Sequence, residues 1–133
     1  MMTSSIPEQY LDLFEKRAFA DLATIMADGS PQVTPIWIDF DGTHVLVNSA
    51  KGRLKDRNMR RDGRVAVSIL DPAYPYRRLG IRGQVVEITE EDADALIDKL
   101  AFKYLGLKTY PYRNPAETRV IYKIEPTHVS ADG

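Results

Sequence analysis

The sequence predicts a mainly β protein with some α-helix, built as a small barrel of six antiparallel strands with flanking helices. Short stretches such as residues 64–70 alternate apolar and polar side chains, which is the period of a half-buried strand. Asp-Gly dipeptides at residues 28–29 and 41–42 separate the first three such stretches, as in hairpins. The strands are not each followed by a crossover helix, which argues against a parallel α/β fold, and barrel closure would remove exposed strand edges.

The predicted elements follow in the order helix, three strands, short helix, two strands, helix and strand. The strands are expected at residues 18–28, 32–40, 44–50, 64–70, 78–88 and 118–125, with His128 and Val129 available to extend the last one. Pro35 lies inside the second strand and cannot donate to a ladder, so this strand is expected at an edge or with a bulge. The clearest helical spacing is at residues 93–104, where the apolar side chains fall on one face.

Length and composition limit the possible classes of protein. The 133 residues, 1–133, are expected to form a single domain. The net charge of −1 argues against a nucleic-acid-binding protein that depends on overall charge, and the lack of cysteine excludes a thiol nucleophile. Because the N-terminus has no signal-peptide pattern and no window resembles a membrane span, a cytoplasmic protein that does not bind membranes is expected. His44 and His128 lack metal-ligand spacing, so no metal site is expected.

The basic residues are concentrated in one part of the chain. Seven of the eighteen lysines and arginines fall between Lys51 and Arg64. The segment Val47–Asn58 is predicted to pass from a strand through a glycine turn into a helix N-terminus, a combination typical of anion sites. Arg53, Lys55 and Asn58 would point at a common anion there, and a phosphate suits such side chains. The alternative interpretation of the same residues is a solvated basic turn.

Other catalytic machinery is absent from the sequence. No serine lies in a nucleophile-elbow pattern, and there is no dinucleotide-binding or Walker glycine motif. The anion site would therefore hold a ligand that brings its own chemistry, which is the property of a cofactor.

Six segments in order resemble one known family. They are T-P-I-W at 34–37, V-N-S-A-K-G-R-L-K-D-R-N at 47–58, R-D-G-R-V at 61–65, D-P-A-Y-P-Y-R at 71–77, I-R-G-Q-V-V-E-I at 81–88 and K-Y-L-G at 103–106. Together they resemble the pyridoxamine 5'-phosphate oxidase-like split β-barrel family, and within it the flavin and deazaflavin oxidoreductases, many of which use coenzyme F420.

The resemblance implies a split β-barrel of the FMN-binding type that forms a homodimer with two cofactor sites at its interface. Arg53 and Lys55, helped by Asn58, would hold the cofactor phosphate. The cofactor ring is implied to lie against the backbone near Pro35, Ile36 and Trp37 on one strand and near Ser49 and Ala50 on another. Tyr76, Arg77 and Arg78 of a second copy would help to close the pocket. Similar proteins often have Tyr followed by Val-Glu where this chain has Arg78-Leu79-Gly80, a departure that affects the expected substrate pocket.

The function expected from the resemblance is hydride transfer between bound F420 and a small organic substrate. Two alternatives remain open at this point: an FMN-binding oxidoreductase of the same fold, and a protein that binds a cofactor without turnover. Arg53 and Lys55 cannot distinguish F420 from FMN, because both cofactors carry a phosphate. The sequence assigns no catalytic acid or base.

Overall fold

A computed structural model describes residues 5–133, which form a seven-stranded antiparallel sheet in the order β2-β1-β5-β6-β7-β4-β3. The strands are β1 (Phe19–Ile25), β2 (Pro31–Ile36), β3 (Ile38–Phe40), β4 (Val45–Ala50), β5 (Arg64–Leu70), β6 (Arg78–Thr89) and β7 (Arg119–Asp132). A 3-10 helix spans Glu8–Phe14, and two α-helices span Leu54–Arg61 (α1) and Ala93–Leu105 (α2). Within this described part of the chain, no helix is long and apolar enough to cross a bilayer.

The two edge strands of the sheet are joined by one residue. β2 and β3 lie at opposite edges, and only Trp37 separates them in the chain. The sheet must therefore curl until its edges meet, which confirms the predicted antiparallel barrel. The predicted second strand, residues 32–40, is split at Trp37, so there are seven strands instead of six. Pro35 lies on an edge strand and pairs with Asp21, as its missing N–H predicted.

The barrel interior is filled by the inward side of each strand. β5 shows the expected alternation, with Val65, Val67 and Ile69 buried. Tyr122 of β7 is fully buried in the same cluster. β6 and β7 shift register after Arg82, where a Cβ on Gly83 would lie 2.7 Å from the backbone oxygen of Glu125. At this position the two strands lie so close together that only glycine fits without displacement.

Helix α2 covers the outer surface of the barrel. Its apolar face, carrying Leu96, Ile97 and Leu100, packs against Ile121 of β7 in a second cluster that Trp37 also contacts. Ile121 points outward because its neighbours on β7 point into the barrel. This second layer forms one wall of the cleft described next.

Candidate functional site

A cleft of about 750 Å³ lies between helix α2 and the edge formed by β1 and β2. It is lined by Arg17, Ala18, Phe19, Ala20, Asp21, Pro35, Ile36, Trp37, Asn48, Arg53, Lys55, Ile97, Leu100, Tyr104, Tyr110, Tyr112 and Arg119. Five of the residues predicted from the sequence are thus brought together, namely Pro35, Ile36, Trp37, Arg53 and Lys55. One end of the cleft is cationic, and its α2 side is aromatic.

The cationic end begins at the N-terminus of α1. Arg53 occupies the N-cap position with an extended backbone, and Gly52 before it has a φ of +92°. Lys55 is half-buried, and no hydrogen bond or ion pair joins its amine to any residue in the range 5–133. Burial lowers the pKa of Lys55, and the nearby charges of Arg53 and Arg119 lower it further. An unpaired cation at a helix N-terminus favours an incoming anion.

Asp56 gives the turn before α1 its shape. Its carboxylate accepts a hydrogen bond of 2.8 Å from the N–H of Gly52, one from the hydroxyl of Tyr122, and one of 3.0 Å from Nε of Arg60. Burial raises the pKa of Asp56, but these hydrogen bonds outweigh it and the net pKa is lowered. Sequence reasoning missed this residue, although an acid at the third position of a helix that reaches back to the preceding backbone is a known capping pattern.

Arg119 is the third cation of the cleft, and sequence reasoning also missed it. It starts β7 and pairs with Ala50 at the end of β4, which places it beside the turn that carries Arg53. Its side chain is 9% exposed, and burial lowers its pKa. Nε donates to Oδ1 of Asn48 at 2.9 Å, but the buried Nη1 has no hydrogen-bond partner in the described residues. No signal in the sequence predicted that β4 and β7 pair in this register.

The aromatic side of the cleft is built around Trp37. Its ring stacks on Tyr104 with centroids 5.3 Å apart and planes 5° apart, and Tyr110 meets it edge-on at 6.0 Å. The hydroxyl of Tyr104 donates to the carbonyl of Ala18 at 3.1 Å, which ties α2 to β1. Burial raises the pKa of Tyr104, so this hydroxyl remains protonated at neutral pH. The result is a fixed apolar surface of the kind that flanks a planar ring.

Three predicted contacts are not in the cleft. Asn58 is fully buried on the side of α1 that packs against β1, where its amide donates to Thr24 and Met26. The expectation that its side chain points at the same anion as Arg53 and Lys55 is therefore wrong. Ser49 and Ala50 are buried, and neither lines the cleft. Because side chains alternate along β4, the neighbouring Asn48 faces the cleft instead.

The segment from Tyr76 to Arg78 lies away from this cleft in the same chain. Arg77 donates to both carboxylate oxygens of Asp12, at 2.7 and 3.0 Å, and to Asp71 at 2.9 Å. Arg78 forms an ion pair with Asp132 at 3.0 Å. Tyr76 is 78% exposed. Of the three residues predicted to contact a second copy's cofactor, only Tyr76 is therefore free of an in-chain ion pair.

The residues of the cleft match the chemistry of a phosphorylated cofactor with a planar ring. Arg53, Lys55 and Arg119 supply the charge for a phosphate, and the buried Nη1 of Arg119 is a donor without an acceptor among residues 5–133. The Trp37 and Tyr104 pair provides the apolar surface for a ring. The donors and the aromatic surface thus fit the phosphorylated cofactor with a planar ring that the family resemblance implied.

Comparison with known proteins agrees with the fold. Residues 6–131 match the family described as pyridoxamine 5'-phosphate oxidase. An F420H(2)-dependent biliverdin reductase of Mycobacterium tuberculosis is 30% identical over 132 residues, covering 98% of this chain and 92% of that protein.

Solved structures share the architecture. An F420 reductase superposes with a TM-score of 0.81 at 35% identity, covering 94% of this chain and 98% of that one. HutZ, the heme storage protein of Vibrio cholerae, has a TM-score of 0.67 at 14% identity, covering 98% of this chain and 96% of that one, and shows the fold alone. The sequence match over residues 6–131 and the shared barrel give one conclusion: the chain belongs to the pyridoxamine 5'-phosphate oxidase-like split β-barrel family.

Proposed function

We propose that the protein is an F420-dependent oxidoreductase that transfers a hydride between the bound deazaflavin and a small organic substrate. The observation that carries this proposal is the meeting of three cations with a fixed aromatic surface in one cleft. Lys55 has no partner in the described chain, and one donor of Arg119 is unused. Two relatives with 30% and 35% identity are named for F420 chemistry, which favours F420 over FMN.

The residues have distinct roles in this proposal. Arg53, Lys55 and Arg119 hold the phosphate end, where each charge-assisted hydrogen bond contributes about 1.5–3 kcal/mol. Pro35, Ile36 and Trp37 lie beside the ring. Reduced F420, when bound, supplies the hydride. The chain contributes positioning, since a ligand anchored at its charged end and held against a rigid wall has few orientations left.

The same proposal includes a homodimer. Tyr76 is exposed, and Tyr74 beside it is also exposed, with the two rings 5.6 Å apart. This pair is suited to contact a second copy near its cleft. Arg77 would support that contact indirectly, because its guanidinium is already bound by Asp12 and Asp71. Light scattering, which measures the oligomeric state in solution, tests the homodimer separately from the cofactor.

The experiment that tests the cofactor is a titration of the purified protein with oxidised F420 and, in parallel, with FMN, followed by fluorescence. Preferential binding of F420 supports the proposal, and binding of neither cofactor contradicts it. Preferential binding of FMN, with a yellow protein on purification, supports the alternative of an FMN-binding oxidoreductase with the same fold.

Turnover is tested with reduced F420 and a panel of organic acceptors. Biliverdin is the first to test because a relative is named for it, followed by enones, quinones and nitroaromatic compounds. Oxidation of reduced F420 that depends on an acceptor supports an oxidoreductase. Tight binding of F420 without turnover on any acceptor supports a cofactor-binding protein instead.

A further inference from the structure

A carboxylate of the chain itself, that of Glu117, contacts the cationic end of the cleft, although Glu117 is not among the residues that line the cleft. Oε2 of Glu117 accepts a hydrogen bond of 2.9 Å from Nη2 of Arg53. The same oxygen lies 3.6 Å from Nη1 of Arg119, which is an ion pair but too long for a hydrogen bond. Glu117 thus pairs with Arg53 and Arg119, two of the cations that line the cleft, at the end where an anionic ligand would be bound.

The charges at this end do not balance. Glu117 pairs with Arg53 and Arg119, whereas no carboxylate in residues 5–133 pairs with Lys55, and within the same range the buried Nη1 of Arg119 has no hydrogen bond. A buried guanidinium donor without an acceptor is costly, because its hydration is lost and not replaced. A phosphate has more acceptor oxygens than one carboxylate and would satisfy this donor as well as Lys55.

The backbone beside Glu117 is fixed, but its side chain is not enclosed. Its N–H donates to the carbonyl of Asn114 at 2.9 Å, and the carbonyl of Thr118 accepts from the N–H of Lys51 at 2.8 Å. The side chain is 28% exposed, so rotation toward solvent needs no movement of the strand. A ligand can therefore replace the carboxylate while the loop stays in place.

We propose that Glu117 is an internal counter-ion that occupies the anion site until a phosphorylated ligand displaces it. It lowers the affinity of the site for every anion. Small anions that gain only the ionic contacts are thereby rejected, whereas a ligand whose ring also contacts the aromatic wall still binds. Glu117 is a determinant of specificity in the cleft. The identity of the natural ligand rests on the proposed function, but the displacement itself does not.

The test compares Glu117→Gln with the wild-type protein in titrations with oxidised F420 and with inorganic phosphate. Two unit charges about 4 Å apart in a water-like medium interact enough to change affinity roughly fivefold. We expect Glu117→Gln to bind F420 about five- to tenfold more tightly and to be stabilised against heat by lower concentrations of inorganic phosphate. The matched control is Glu90→Gln, because Glu90 pairs with Lys51 of the same basic stretch at 3.7 Å and both are more than half exposed. The affinity of Glu90→Gln for F420 is expected to stay within twofold of the wild-type value.

The outcomes separate this inference from the proposed function. If the wild type binds neither F420 nor FMN, the proposed function fails, while tighter phosphate binding by Glu117→Gln still supports the counter-ion. Unchanged or weaker binding of both F420 and phosphate by Glu117→Gln overturns the inference, even where the wild type binds F420. Melting temperatures without ligand show that Glu117→Gln is folded, and Glu117→Ala provides a second variant with the same expected direction.

Discussion

Two basic regions of this protein each bring together cations from distant parts of the chain, and they differ in how those cations are paired. The first joins Arg53 and Lys55 with Arg119, and the second contains Arg77 together with Lys16. In the second region, Asp12 and Asp71 bind both cations, with distances of 2.7 to 3.2 Å. In the first region, Glu117 pairs with Arg53 and Arg119, and no carboxylate of the described residues pairs with Lys55.

The difference shows that the number of cations in a region does not identify an anion site. What identifies it is the positive charge left after the chain's own carboxylates are paired. The region of Arg77 fastens the 3-10 helix to the loop after β5, whereas the region of Lys55 retains an excess of charge beside a cleft. The region of Arg77 is therefore structural, and the region of Lys55 is available for a ligand.

The largest expected effect is on the unpaired region. Lys55→Ala should lower the affinity for F420 about 10- to 100-fold, because it removes a charge-assisted contact to the phosphate. The melting temperature should be unchanged or slightly higher, since burial and neighbouring cations disfavour the charged form of Lys55 in the folded protein. Fluorescence titration and thermal melting measure the two quantities.

Arg57→Ala is the matched control, because Arg57 is exposed on the same helix two residues away. It should change the affinity for F420 less than threefold. Equal losses of affinity in Arg57→Ala and Lys55→Ala would mean that overall charge, and not the cleft, attracts the cofactor.

Removing a cation from the Arg77 region should lower the stability of the protein and leave its affinity for F420 nearly unchanged. Arg77→Ala should lower the melting temperature by about 5–10 °C, because the buried carboxylate of Asp71 loses a charged partner. Its affinity for F420, measured on the folded protein, should stay within threefold of the wild type. Arg78→Ala, which breaks only the more exposed pair with Asp132, is the control and should melt within 2 °C of the wild type. Loss of F420 binding without loss of stability in Arg77→Ala would instead place Arg77 in the pocket of a second copy.

Lowering the pH should reduce the difference in stability between the wild type and Arg77→Ala. The hydrogen bond from Arg77 holds the pKa of Asp12 at about 2, below the ordinary 3.8. A lowered folded-state pKa stabilises the protein above pH 4, and that contribution is lost as the pH falls toward 2. The urea midpoints of wild type and Arg77→Ala should therefore converge between pH 5 and pH 2. A constant gap over this range would show that the Asp12 pair contributes little.

The smallest expected effect concerns Lys103, which forms no ion pair with a carboxylate in residues 5–133 and does not line the cleft. Lys103 donates to the carbonyls of Phe14 and Ile38, and burial lowers its pKa to about 8. Between pH 8 and the ordinary pKa of 10.5, the unfolded chain binds more protons, so this residue makes stability rise with pH. Urea unfolding at several pH values should show the wild type and the exposed control Lys108→Met gaining stability relative to Lys103→Met as the pH rises over this range. A difference that stays constant with pH would contradict the shifted pKa.

Much of the fold followed from local patterns. The alternation of residues 64–70 and the helical spacing of residues 93–104 correspond to β5 and α2, and Pro35, expected at an edge or a bulge because of its missing donor, lies on an edge strand. The break at Trp37 was missed. Nothing in the local pattern distinguishes one long strand from two short ones that belong to opposite edges of a curled sheet.

The candidate site was only partly predictable. Pro35, Ile36, Trp37, Arg53 and Lys55 do line one cleft, because they belong to two short segments whose chemistry is visible in the sequence. Asn58 was misplaced, since helical spacing gives the angle between side chains but not which side of the helix packs against β1.

The sequence by itself determined the barrel class, the strand–turn–helix at residues 47–58 and the local excess of cations, because each depends on residues close together in the chain. Tertiary structure alone decided which cations are paired. The pairing of β4 with β7 brings Arg119 and Glu117 to the turn of Arg53, and the packing of the 3-10 helix brings Asp12 to Arg77. Charge balance is a property of side chains far apart in sequence, so it exists only once the chain has folded.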